Sequence, residues 1–197
     1  MKVLAISPHT DDTELGCGGY LSKLYEGGNE IISVTFSYNV RGKCLADEWI
    51  KAVSMVSTSY RMYDYSIREF DKYRQGILQT MIALRDDLDP DMVLIPSASD
   101  IHQDHAVIYN EALRAFSKEC KVLSYELPWN TRAFKPNYFV ELSQAHLDNK
   151  NRMLKCYEWQ SNRPYFDERF MEAIARTRGQ QVRKEFVEAF EVITWID

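Results

Sequence analysis

Long apolar runs are missing from this chain of 197 residues: nothing approaches the ~20 consecutive apolar residues of a membrane-spanning helix. Cysteine is sparse and scattered. Cys17, Cys44, Cys120 and Cys156 form no CxxC pair and read as free thiols, so a reducing, cytoplasmic setting is expected. A basic stripe is absent too, and the net charge of −5 argues against nucleic acid as a partner, because phosphate neutralisation needs clustered Lys and Arg. Repeats, low-complexity segments and long linkers are also lacking, which leaves a single domain over residues 1–197. The strand-like Lys2–Ile6 stands at the N-terminus, so no signal peptide is expected.

Apolar content of 45% and charged content of 27% are those of an ordinary globular protein with a full core. Short β-branched runs alternate with helix-period segments through residue 125. Val3–Ile6, Ile31–Phe36, a weaker run at Arg61–Tyr65, Met92–Ile95 and Lys121–Tyr125 read as strands. Gly16, Gly18 and Gly19 suggest a turn leading into a helix with Leu21, Leu24 and Tyr25. Ile77, Met81, Leu84 and Leu88 mark an amphipathic helix stopped before Asp89-Pro90, and Ala106, Tyr109, Leu113 and Phe116 another. The last 70 or so residues add a strand near Asn137–Leu142, a helix near Ala145–Trp159, a helix around Asp167–Val182 interrupted late by Gly179, and a strand at Phe186–Thr194. This pattern predicts an α/β fold: a Rossmann-like three-layer sandwich with a mostly parallel sheet and C-terminal helix and strand additions.

Three of the four histidines fall in two acidic clusters, Pro8-His9-Thr10-Asp11-Asp12 and Asp100-Ile101-His102-Gln103-Asp104-His105. Imidazole beside carboxylate is ligand chemistry for a metal such as zinc, and acid–base chemistry for activating water. Both clusters directly follow predicted strands, where open parallel sheets bind ligands. The same rim should carry Tyr38, Asn39 and Arg41 after one strand and Trp129, Asn130 and Arg132 after another, residues suited to gripping a sugar or another polar substrate. His146 has no partner in register and reads as a surface residue. The Gly16-x-Gly18-Gly19 turn lacks the third glycine of a dinucleotide fingerprint, so no nucleotide cofactor is expected.

Ser7-Pro8-His9-Thr10-Asp11-Asp12, Leu15-Gly16-Cys17-Gly18-Gly19 and Asp100-x-His102-x-Asp104-His105 resemble the PIG-L/LmbE-like deacetylases. Glu48, Pro90-Asp91 and Glu188-Ala189-Phe190 extend the likeness over most of the chain. The resemblance implies a zinc-dependent hydrolase that removes N-acetyl groups from N-acetylglucosamine-type sugars or their conjugates. It implies His9, Asp12 and His105 as ligands to Zn²⁺, Asp11 as general base and His102 as the group stabilising charge on the carbonyl oxygen. Asp100 and Asp104 are then expected to orient the histidines. Arg41 and Trp129 are expected to hold the sugar or its aglycone. Two departures stand out: Thr10 occupies the place of the family's proline and Thr13 that of its glutamate, with Glu14 next. Two other readings remain open. His9-x-Asp11 with a distant histidine also satisfies the facial triad of non-haem iron oxygenases, and a non-catalytic sugar-binding domain could keep the metal. The oligomeric state is not fixed by these residues, and a homo-oligomer is compatible with them.

Overall fold

The computed structural model describes residues 1–40 and 42–196. The expected rim residue Arg41 therefore lies outside the described residues. In chain order the elements are β1 (Lys2–His9), α1 (Asp12–Glu26), β2 (Glu30–Ser37), β3 (Asn39–Val40), β4 (Lys43–Cys44), α2 (Ala46–Val53) and β5 (Ser59–Met62). Then follow α3 (Arg74–Leu88), β6 (Met92–Pro96), α4 (Gln103–Phe116), β7 (Lys121–Tyr125), β8 (Tyr138–Leu142), α5 (Gln144–Leu154), α6 (Glu168–Val182) and β9 (Phe186–Thr194). Among the described residues, no helix is long and apolar enough to cross a membrane.

Seven strands form one sheet in the order β5-β2-β1-β6-β7-β9-β8. The pairs β5–β2, β2–β1, β1–β6 and β6–β7 are parallel, and β9 runs antiparallel to both of its neighbours. The C-terminal additions thus extend the main sheet. Side-chain alternation along each strand divides the apolar residues between two layers. Val3, Ala5, Leu94 and Leu123 pack with residues of α1, α2, α5 and α6, while Leu4, Ile6, Val93, Ile95 and Val122 pack with residues of α3 and α4. Strands buried on both faces explain the unbroken apolar runs in the sequence.

Three local readings change. The glycines at 16, 18 and 19 lie inside α1, which starts at Asp12. They are there for close approach: a Cβ on Gly16 would stand 2.3 Å from the Tyr125 ring, and one on Gly19 would stand 2.5 Å from Leu142. The helix also kinks at Cys17 (φ −143°, ψ 19°). Beyond the kink, the amides of Gly19 and Tyr20 donate to the buried Glu188 carboxylate at 3.0 and 2.6 Å, and the Lys150 ammonium balances that charge at 2.7 Å. Gly179 does not interrupt α6; it lets the chain return beneath the helix end, where the Lys184 carbonyl would stand 2.4 Å from an added Cβ. His146 is buried, closes a capping box with Ser143 at the start of α5 and bonds Glu26 of α1. Its partner is distant in sequence, so no local register could reveal it.

The topology also positions the chemistry. From β1 the chain moves to β2 on one side, and it later returns as β6 on the other. The carboxyl ends of β1 and β6 therefore flank a switch point, the usual ligand crevice of open α/β sheets.

The Gly16–Tyr125 contact is a point of little tolerance, because the Tyr125 hydroxyl donates to the Ile6 carbonyl at 3.0 Å and so anchors the ring. Gly16→Ala gains up to ~1 kcal/mol of helix propensity. The overpacking outweighs that gain, and the expected net loss in urea unfolding is ~1–3 kcal/mol. An unchanged midpoint would refute the contact as a constraint.

Candidate metal centre and active site

β1 ends at His9, and two residues later the chain turns into α1 through Asp11, whose φ of 110° is costly for a residue other than glycine. The turn is held by the His9 amide donating to Asp12 Oδ2 at 2.8 Å and the Leu15 amide donating to the Asp11 carbonyl at 2.9 Å. Asp11 precedes the helix without capping it, so its carboxylate is free to accept from Gln160 Nε2 at 2.8 Å.

The second cluster opens α4. His102 caps the helix, with Nδ1 accepting from the Asp104 amide at 3.2 Å, and His105 lies three residues further on the same face. Their rings stack at 4.6 Å, and His102 meets His9 edge-on at 4.9 Å.

Two buried carboxylates aim the other imidazoles. Asp104 Oδ2 bonds His9 Nε2 at 2.9 Å and also accepts the Arg68 amide at 2.6 Å, while Asp100 Oδ2 bonds His105 Nδ1 at 2.8 Å. With those nitrogens acting as donors, His9 Nδ1 and His105 Nε2 are left with lone pairs facing inward. They stand 3.3 Å from each other, and 3.4 and 3.3 Å respectively from Asp12 Oδ2. Three acceptors this close repel one another and favour a cation between them. Tetrahedral bonds of ~2.0–2.1 Å place ligand atoms ~3.3 Å apart, so the triangle fits a four-coordinate metal ion with one position left open. The imidazoles of His9, His102 and His105 also bring one nitrogen each within 4.8 Å, a looser set.

Charge follows the same geometry. Burial disfavours a charged His105, but the Asp12 and Asp100 carboxylates outweigh it and raise its pKa to about 10. His9 is likewise raised, Asp104 and Asp12 prevailing over burial. Burial alone would raise Asp12; the adjoining His105 and His9 instead hold it well below the usual carboxylate range. Asp11 goes the other way, pushed well up by burial and by the Asp12 charge. Burial and the neighbouring His105 and His9 lower His102 to about 4. At neutral pH that favours a neutral ring, and with Nδ1 accepting from the Asp104 amide its proton sits on Nε2.

These residues line a cavity of about 540 Å³ together with Trp129, Asn130, Ile67, Arg68, Gln160, Arg163 and Tyr165. Trp129 stacks on Tyr165 at 4.3 Å and 7°. Tyr38, Asn39 and Arg132 do not line it. The chain after β2 turns away into the β3–β4 hairpin, and the Asn39 amide donates to Asp64 at 2.7 Å. Arg132 pairs its backbone with Ser99 and is exposed. Sequence periodicity does not point to Gln160, Arg163 and Tyr165, because Gln160 and Tyr165 sit in single 3-10 turns between α5 and α6, and Arg163 precedes the second of them. The Asn162-Arg163-Pro164-Tyr165 string was the one available hint of a shaped loop. Asp11, the carboxylate that the iron-triad reading needed, bonds Gln160, and Asp12 completes the triangle.

Residues 4–116 match the PIG-L family, described as GlcNAc-PI de-N-acetylase. The chain is 26% identical over 166 residues to YaiS of Escherichia coli K12, an uncharacterized deacetylase, covering 79% of this chain and 90% of that protein. Among solved structures, it resembles the N,N'-diacetylchitobiose deacetylase of Pyrococcus horikoshii with a TM-score of 0.80 and 21% identity, over 98% of this chain and 83% of the other. It equally resembles GalB, the 4-carboxy-2-hydroxymuconate hydratase of Pseudomonas putida KT2440, with a TM-score of 0.81 and 17% identity, over 100% and 97%. At such identities the structural likeness speaks to the fold alone, and this pair hosts two different reactions on it.

The donor triangle makes a direct prediction. Chelated protein reloaded with zinc should hold one ion per chain, His105→Ala should lose most of it, and Asp104→Asn should weaken affinity by about 10–100-fold through misorientation of His9. Elemental analysis and competition with a chromogenic chelator measure both. Full zinc occupancy in His105→Ala would discard the ligand set.

Proposed function

The chain belongs to the PIG-L family, and from that premise we propose that it is a zinc-dependent amide hydrolase removing the N-acetyl group of an N-acetylglucosamine-type sugar or sugar conjugate. The observation that carries this reading is the pairing of adjacent carboxylates with opposite fates: Asp12 held ionised in the donor triangle, Asp11 beside it with a strongly raised proton affinity. Environments that drive neighbouring acids apart in this way separate a ligand from a proton carrier. His9, Asp12 and His105 would hold the ion. Zinc bound there supplies Lewis acidity toward a carbonyl oxygen and acidifies a coordinated water.

The remaining work falls to the chain itself. Asp11 takes one proton of the attacking water and later delivers it to the departing amine nitrogen, so a free amine leaves with acetic acid, which gives up the water's other proton to become acetate. Gln160, bonded to Asp11 Oδ2, leaves the other carboxylate oxygen for that transfer. His102 donates its Nε2 proton to the acyl oxygen as negative charge gathers there, a contact stronger in the transition state than in the ground state. The Trp129–Tyr165 stack offers an aromatic wall for the apolar face of a sugar ring. Four free cysteines agree with a cytoplasmic setting.

Zinc-loaded protein should release acetate from at least one member of a panel of N-acetylated sugars and conjugates. Asp11→Asn should keep its zinc and lose ~10²–10⁴ in kcat, the range typical of general acid–base catalysis. Near-normal turnover in that variant would reject Asp11 as the base. Tight sugar binding with no acetate from any substrate would favour a binding domain, and oxygen consumption with iron would favour the oxygenase.

A further inference from the structure

Two arginines line the cavity from opposite loops; the Arg163 charge partly offsets the rise at Asp11, and neither side chain has a part in the deacetylation steps above. Arg163 stands between α5 and α6. One of its terminal nitrogens donates to the Tyr165 hydroxyl at 2.5 Å and the group lies 5.8 Å from that ring, while Tyr165 itself is fixed on Trp129. Arg68 stands between β5 and α3, in a left-handed conformation (φ 67°) that is uncommon for a non-glycine residue. It is held there by its amide bond to Asp104, the carboxylate that aims His9. The two cations are thus positioned by the same contacts that build the site.

Among the described residues neither guanidinium has a carboxylate within ion-pair distance, whereas Arg74, Arg114, Arg169, Arg176 and Arg178 all do. Among the described residues, one of the five N–H donors on Arg163 is engaged by a side chain, and none of those on Arg68 is. The hydroxyls of a neutral sugar need no such pair, since amides such as that of Asn130 suffice for them. Planar, prepositioned guanidinium groups with free donors match the two or three oxygens of a carboxylate or phosphate.

We propose that Arg68 and Arg163 are specificity-determining residues that select a substrate carrying an anionic substituent, carboxylate or phosphate, outside its acetamido group. This rests on the deacetylase reading for the word substrate, but not for the anion site. The arginines hold the substituent at the mouth while the acetamido group reaches the donor triangle. Binding energy remote from the reacting bond then orients the amide.

The test has a binding arm and a rate arm. Calorimetry on the zinc-loaded protein compares glucosamine 1-phosphate and a carboxylate-bearing glucosaminide with neutral methyl glucosaminide. Acetate release compares the corresponding N-acetylated compounds. The expected result is that one or both anionic ligands bind about 10–100-fold tighter than the neutral one, as for charge-assisted hydrogen bonds. In the double variant Arg68→Gln/Arg163→Gln that advantage should shrink to within about threefold, with zinc content and affinity for the neutral ligand retained. The arm with the larger effect tells phosphate from carboxylate. An equal or weaker affinity for both anions would overturn the proposal. So would a preference that survives in the double variant, since the anion would then be bound by the metal itself. If no compound releases acetate while the arginine-dependent preference persists, the deacetylase reading falls and the anion site stands.

Discussion

Everything at the site depends on two buried imidazole–carboxylate bonds. Asp104 fixes His9 and Asp100 fixes His105, each through the ring nitrogen that faces away from the cavity. Once those nitrogens donate, the two inward nitrogens and Asp12 Oδ2 form a triangle of acceptors with edges of 3.3–3.4 Å. Such a cluster favours a cation, and the Asp104, Asp12 and Asp100 carboxylates accordingly draw His9 and His105 above the usual imidazole pKa against the effect of burial. A metal ion held there would compete with protons for the same lone pairs, the general linkage at histidine–carboxylate sites. The aiming carboxylates do further work: Asp104 takes the amides of Arg68 and Phe70, and Asp100 takes that of His102. One pair of acids thus sets the orientation of His9 and His105, the start of α4 and the loop that carries a cavity arginine.

The fold serves this arrangement by bringing together residues about 95 positions apart. β1 and β6 are neighbours in the sheet, and the chain leaves them toward opposite edges, so the loops after them have room to meet over the switch point. The approach of α1 to the sheet needs a bare backbone at Gly16 and Gly19, and the kink at Cys17 needs Glu188 from β9 to receive the amides of Gly19 and Tyr20. The last strand, far from the motifs in sequence, therefore steadies the helix that begins with Asp12.

Those dependencies explain what the sequence could reveal. Strands buried on both faces leave continuous apolar runs, so the parallel sheet and the rim were legible, and the clustering of His9, Asp11, Asp12, His102 and His105 followed from it. Asp100 and Asp104 were legible too, because they lie in the same short string as the histidines they bond. The glycines of α1 were misread as a turn because their purpose is contact with Tyr125 and Leu142, which no local pattern contains. His146 was misread for the same reason, its partner being Glu26. The far wall of the cavity was invisible: Gln160, Arg163 and Tyr165 are brought in by the packing of α5 and α6, and short 3-10 turns have no period to detect. Tyr38 and Asn39 failed in the opposite sense, following a strand into the rim but turning outward with the hairpin.

The two departures from the family pattern can be weighed on the same physical grounds. A proline at position 10 would restrict the backbone ahead of Asp11. Here the turn is fixed by other means, since the His9 amide bonds Asp12 and the Thr13 amide bonds Ser7 Oγ at 3.2 Å. Thr10 is fully buried, so tight surroundings restrict it as a ring would. Thr13, where the family has glutamate, donates to Glu14 Oε2 at 3.1 Å. An acid is thereby retained in the layer behind Asp11, one residue later. Burial raises Glu14 to about 7, against the pull of its own amide, Thr13 and Tyr157. At neutral pH that layer carries at most a partial negative charge. Full charge there would add to the field of Asp12, which already raises the proton affinity of Asp11. The substitutions therefore leave the turn rigid and place a softened charge behind Asp11, which limits how far its proton affinity is raised.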